Sequence, residues 1–169
     1  DEDSRGDLID GINEIIEKGR TTDGIMIARY VPDETLEGKN IAEIADSMGT
    51  TPAEAVLRIY QEGEVMVVMQ SMDEKDVDTF AKHPLIAVAS DGSSMSTEGI
   101  LSAGKPHPRS YGTNPTYIEH FINEKKLVSL QEGIRKMTSL PAERLGLTNR
   151  GRIAAGYAAD IVIMEAEKV

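Results

Sequence analysis

Between residues 64 and 90 the chain changes its hydrophobic pattern twice, and this limits its fold more than any other feature. Residues 64–70 are a Val- and Met-rich run, and Ser71 and Glu74 follow at the spacing of a capping box. Val77, Phe80 and Ala81 then line one face of a helix that Pro84 ends. Residues 85–89 are apolar without alternation, the pattern of a strand covered on both faces in a parallel sheet. Strand, helix and strand in that order predict a right-handed βαβ unit, and hence an α/β fold.

Upstream, Leu8, Ile9, Ile12, Ile15 and Ile16 recur at helical spacing, so residues 7–18 read as an amphipathic helix stopped by Gly19. The acidic residues Asp1 to Asp3 read as a disordered start. A short apolar run over 24–28 reads as a strand. Asn40 with Glu43 and Thr51 with Glu54 place a capping side chain three residues before an acid, and Pro52 sits at a favoured first helical position. Two short helices are expected there, near 41–48 and 52–61.

Downstream, residues 91–115 are rich in Ser and Gly with two prolines beside His107, and they read as a long loop of the kind that carries function. Helical patterns resume over 116–125 and from Ser129, which stands three residues before Glu132. A third short helix over 141–145 stops at Gly146. Gly151, Gly156 and the run 160–164 look like a turn followed by a strand.

The 169 residues, 40% hydrophobic, suffice for one ordinary core and are too few to expect two. A formal charge of −11 repels the phosphate backbone that dominates nucleic-acid affinity, so no nucleic-acid partner is expected. Residues 1–63 carry 15 acids and 6 bases, against 14 and 12 over 64–169, so the first third is the acidic part. No stretch reaches the roughly 18 to 20 apolar residues of a membrane span, so no membrane partner is expected either. The absence of Cys removes disulfides and thiolate metal sites and fits a reducing, cytoplasmic setting. An opening Asp1 in place of Met is what a processed chain or a piece of a longer one would show.

Asp91 directly follows the expected buried strand, at the carboxyl end where α/β sheets and barrels place their sites. A catalytic carboxylate is one reading; a turn in which Asp91 bonds its own backbone is the other. His107 lies between Lys105 and Arg109, a pairing suited to an anionic group, although prolines on both sides also describe a merely stiffened loop. His83 precedes Pro84 and reads as a helix cap, and His120, between Glu119 and Phe121, as packing. No two histidines have chelate spacing, so they form no metal site among themselves. Met66, Met69 and Met72 read as core filler.

Four segments carry a resemblance. They are Val88-Ala89-Ser90-Asp91-Gly92, His107-Pro108-Arg109-Ser110-Tyr111-Gly112-Thr113, Met137-Thr138-Ser139-Leu140-Pro141-Ala142-Glu143-Arg144-Leu145-Gly146-Leu147, and the run from Arg150 to Val162 that contains Ala158-Ala159-Asp160. In order and spacing they resemble the N-acyl-D-amino-acid deacylase (D-aminoacylase) family of the amidohydrolase superfamily. The last segment is shared across the superfamily, whereas Ser-Asp-Gly followed by His-Pro-Arg-x-Tyr-Gly-Thr points to the deacylase branch. The match is firm over 64–165 and looser over 1–63. Gly133 within a helix and Asn114-Pro115 after Gly-Thr depart from the pattern.

The resemblance implies the C-terminal portion of a (β/α)8 barrel. Residues 1–63 would be the acidic helical region before barrel strand 7. Residues 64–150 would be the last βα units, with 91–115 as an active-site loop, and 151–169 would return to a small β-domain. It further implies a zinc enzyme that hydrolyses N-acyl-D-amino acids. Asp91 would be its catalytic acid–base and would meet the metal only together with ligands missing from this chain, while His107 and Arg109 would bind substrate. By itself the chain is expected to be inactive, to hold no zinc, and to associate with itself or with the missing barrel half. A cyclic-amide hydrolase of the dihydroorotase or hydantoinase type is the nearest rival, and a non-catalytic half-barrel module the next.

Overall fold

A computed structural model describes residues 2–18 and 21–169. The chain divides into two compact units, Asp1–Ser71 with Met95–His107, and Met72–Ser94 with Pro108–Val169, each with its own buried cluster where the length predicted a single core. Among the described residues no helix is long and apolar enough to cross a membrane.

In the first unit, helix α1 (Glu2–Glu17) covers residues 7–17 of the expected 7–18 helix, and it begins within the acidic residues read as a disordered start. The stop assigned to Gly19 lies outside the described residues. Strand β1 (Ile25–Arg29) pairs antiparallel with β2 (Met66–Met69), with Ile25 opposite Met69 and Ile27 opposite Val67. The register slips between Ile27 and Arg29. The residue passed over is Ala28, whose carbonyl instead accepts a bond of 2.6 Å from the Lys105 amide. Gly104, at φ +82°, lets the backbone approach there, since a Cβ would stand 2.7 Å from that carbonyl oxygen.

Helices α2 (Ile41–Met48) and α3 (Pro52–Glu62) begin where their caps predict. Asn40 and Glu43 complete a reciprocal capping box, while Thr51 Oγ1 accepts from the Glu54 amide at 3.3 Å. Ile27, Tyr30, Leu36, Ile41, Ile44, Ala45, Ala55 and Ile59 form the core of this unit. Tyr30 is 1% exposed, and its hydroxyl donates to Ile59 O and Glu62 Oε2. Burial, then the Glu62 hydrogen bond, push its pKa up.

In the second unit, helix α4 (Glu74–Lys82) takes Asp73 as its N-cap, not Ser71. An aspartate one residue before the helix reaches the Lys75 amide at 2.7 Å, and the sequence offers both caps. The expected strand over 85–89 is not formed. These residues are partly exposed and join no ladder, and β2 pairs backwards with β1, so there is no right-handed βαβ unit. A parallel strand needs neighbouring strands, and among the described residues no strand lies beside this segment, whose Val88 amide bonds Lys136 O instead. The run 160–164 likewise forms no strand, and Val162 and Ile163 are 83% and 95% exposed.

The long loop is shorter than its composition predicts. Helix α5 (Arg109–Tyr117) starts inside it, kinked at Gly112, and continues as a π-helical turn over Ile118–Glu124. Gly112 leaves helical geometry at φ −141°, and Pro115, which has no N–H to lose, then falls in the first turn after the kink. Residues that read as breakers are thus spent on a kink. Helices α6 (Leu130–Met137) and α7 (Ser139–Arg144) follow, with Ser129 Oγ accepting from the Glu132 amide at 3.2 Å. Ala81, Tyr117 and Val128 centre the core, joined by Val88, Phe121, Ile122 and Met137. The Tyr117 hydroxyl donates to Ala81 O at 2.9 Å.

Candidate active site

Asp91 sits at φ +46°, in the left-handed region that costs a non-glycine residue strain. The turn around it is closed by Ser90, whose Oγ accepts from the Gly92 amide at 3.2 Å. The next amide, of Ser93, donates to Ser110 Oγ at 3.3 Å and so ties the turn to the first residues of α5. Gly92 makes the approach feasible, because a Cβ there would stand 2.9 Å from both Arg109 O and Ser110 Cα. In the sequence Ser90 and Ser110 stand only as members of the motif segments, with no role of their own; the legible signal was Gly92 after a Ser-Asp pair.

Held this way, the Asp91 carboxylate faces Arg109, with Oδ2 3.2 Å from Nη2. The side chains are 87% and 48% exposed, so the pair is screened and adds little stability. Asp91 is therefore open to another partner at small cost. An exposed carboxylate beside a guanidinium of the kind that can bind anions is the arrangement this turn presents.

The structure thus brings Asp91 and Arg109 together, in the second unit. His107 belongs to the first, at the exposed end of the segment tied to β1 through Lys105. His83 is the C-cap residue of α4; its amide donates to Phe80 O, and its Nδ1 accepts from the Leu85 amide at 3.3 Å. His120 pairs with Glu124 at 2.9 Å and lies edge-on to Phe121. Met66 and Met69, expected as core filler, are 60% and 44% exposed on β2, and Met72 is 68% exposed. A two-stranded sheet leaves them without a covering layer.

Among the described residues no three His, Asp or Glu stand close enough to hold a metal ion. One carboxylate turned to an arginine does not fit the three or four ligands that zinc takes.

The model of the amidohydrolase family matches residues 33–169. The chain belongs to this family. It is 32% identical over 155 residues to an N-acyl-D-glutamate deacylase of Alcaligenes xylosoxydans xylosoxydans, covering 92% of this chain and 30% of that protein. To an N-acyl-D-aspartate deacylase of the same organism it is 33% identical over 132 residues, 78% of this chain and 24% of the relative. The crystal structure of an N-acyl-D-glutamate deacylase from Bordetella bronchiseptica, complexed with zinc and a phosphonate mimic of the tetrahedral intermediate, superposes with a TM-score of 0.71 at 28% identity. That match covers 85% of this chain and 28% of the other. The chain therefore spans about 30% of the length of the first of these relatives. The resemblance carried by the four sequence segments is borne out, and these amidohydrolases bear the deacylase names it implied.

Proposed function

We propose that this chain is part of a hydrolase that cleaves the amide bond of N-acyl-D-amino acids, with Asp91 as its acid–base group. The observation that carries the proposal is the built turn at Asp91. The backbone turn that carries Asp91 at a left-handed φ is held against α5 by Gly92, Ser93 and Ser110, and the carboxylate faces Arg109, within the motif order that the deacylase family shares. The names of the relatives support a linear N-acyl substrate over the cyclic-amide alternative. In the same reading residues 64–150 complete a (β/α)8 barrel, with 1–63 before its strand 7 and 151–169 returning to a small β-domain. The pairing partners of 85–89 and 160–164 would then come from the rest of the barrel and from that domain.

The chemistry assigned to this chain is proton transfer and anion binding. As water adds to the acyl carbon, Asp91 accepts its proton. The C–N bond then breaks, and Asp91 returns the proton to the departing nitrogen, leaving a carboxylic acid and a free D-amino acid. Arg109 supplies a positive contact to the substrate's carboxylate, and the sequence motif also nominates His107 for substrate binding. The zinc of the Bordetella relative supports zinc in the intact enzyme, and no full ligand set for it lies among the described residues of this chain. The chain alone is inactive under this reading, and it associates with itself or with the rest of the barrel in a cytoplasmic setting.

Replacing Asp91 with Asn in the whole enzyme tests the assignment. Asn preserves size and turn-forming ability, so folding should survive while kcat falls by about 10² to 10⁴-fold. Hydrolysis of an N-acyl-D-amino acid by the folded variant at near wild-type rate would make Asp91 a turn residue.

A further inference from the structure

Lys136 is 1% exposed, and an ammonium buried to that degree is costly unless every proton is placed. Its Nζ donates to Ala81 O and to His83 O, both at 2.6 Å, at the carboxyl end of α4. Burial pushes its pKa below the ordinary lysine value. Next to it, Arg135 Nη2 donates to Pro84 O at 2.6 Å while its Nε and Nη2 hold the Glu132 carboxylate at 2.7 Å. The backbone adds a further tie, from the Val88 amide to Lys136 O at 3.1 Å.

A helix end leaves its last carbonyls without intrahelical partners, and a cation near them meets part of that need. Here the ties from residues 135 and 136 run on past the helix, to Pro84 and then to Val88, three residues before Asp91. Among the described residues no strand ladder holds that segment, so within this chain these ties fix its position, and in a whole barrel they would set its end beside whatever strands pair with it. We infer that Arg135 and Lys136 are positioning residues for Asp91, clamping residues 81–88 so that the turn at 90–93 meets α5 in one place. The inference rests on the acid–base reading of Asp91. The turn is then anchored twice, by α6 through this clamp and by α5 through Ser110 and Arg109.

The test is Lys136→Met in the whole enzyme, read by amide hydrogen exchange and by steady-state kinetics per folded molecule, with Asp91→Asn as reference. Methionine keeps the buried stem and removes the donors. Exchange at residues 86–92 should quicken by more than about tenfold while α2 is unchanged, as expected of a local opening. In parallel kcat should fall by about 10- to 100-fold, because small misplacements of a reacting group are that costly. KM should stay within about twofold. Unchanged exchange over 86–92 would overturn the clamp. Quickened exchange with unaltered kcat would reduce it to a structural brace and overturn the positioning role. If Lys136→Met does not fold, Arg135→Met, which removes only the tie to Pro84 and the pair with Glu132, must show the same two changes at smaller size, or the inference fails. A fully active Asp91→Asn would instead overturn the acid–base reading, and the exchange data would still decide whether the clamp holds residues 86–92.

Discussion

At Asp91 and Gly92 two adjacent residues do opposite things with the same turn. Asp91 tolerates a left-handed φ of +46°, and Gly92 supplies the missing side chain that lets the backbone of Arg109 and Ser110 come close. Gly92→Ala should therefore force the turn off α5. Because the obstruction is backbone on the other side, relief requires a main-chain shift, and overpacking of this kind costs about 1 to 3 kcal/mol. Denaturant unfolding should show that loss, and kcat/KM should fall by more than the loss of folded protein explains. A variant as stable and active as the parent would mean that the contact between 92 and 109–110 is loose.

At the scale of elements, Gly133 shows how packing overrides propensity. In an isolated helix Ala would be preferred there by about 1 kcal/mol. In α6 Gly133 is buried, and a Cβ would lie 2.4 Å from Ile122 Cδ1 of the π-helical turn, with Tyr117 Cε1 at 3.6 Å on another side. Because Cδ1 is the far end of a side chain that can turn aside, the cost is modest, and Gly133→Ala should fail to deliver its propensity gain of about 1 kcal/mol. Combined with Ile122→Val, which removes Cδ1, it should cost less than the sum of the single changes in a double-mutant cycle. Strict additivity would show that the two sites do not touch.

The contact between α4 and the π-helical turn is electrostatic as well. Lys125 Nζ lies 2.7 Å from Asp78 Oδ1 and 2.6 Å from Glu74 Oε1, and these hydrogen bonds, Asp78's first, raise its pKa above the ordinary 10.5. A raised folded pKa means stability that is complete below the unfolded value and is lost as pH climbs through the folded one. The Tm gap between the parent and Lys125→Met should stay flat from neutral pH to about 9 and narrow above about 10.5, where the unfolded lysine begins to lose its proton. A gap that persists unchanged at higher pH would assign the effect to lost packing over Phe121, whose ring centroid is 5.8 Å away.

For the whole molecule the relation of the Asp91 turn to a metal decides the biochemistry. With one carboxylate at the site and no cluster of three ligands among the described residues, the isolated chain should retain well under one zinc per molecule after dialysis against a mild chelator. Metal analysis by mass spectrometry checks this. A stoichiometric ion that survives would require a site that neither Asp91 nor the scattered histidines provide.

What the sequence by itself determined is mostly what closes within a few residues. The caps at Asn40, Thr51 and Ser129, the stop at Gly146 with φ +71°, and helices α2, α3, α4, α6 and α7 were legible because donor and acceptor lie within one turn. The family was legible too, since its motifs are local strings. Tertiary structure decided everything that needs a distant partner. It made β1 and β2 an antiparallel pair, left 85–89 and 160–164 without ladders, and ran α5 through Gly112 and Pro115. It also set Arg109 before Asp91 and drew Arg135 and Lys136 across to the end of α4. A strand is defined by its neighbour and a buried cation by the carbonyls around it, and neither is written within reach of the residue itself.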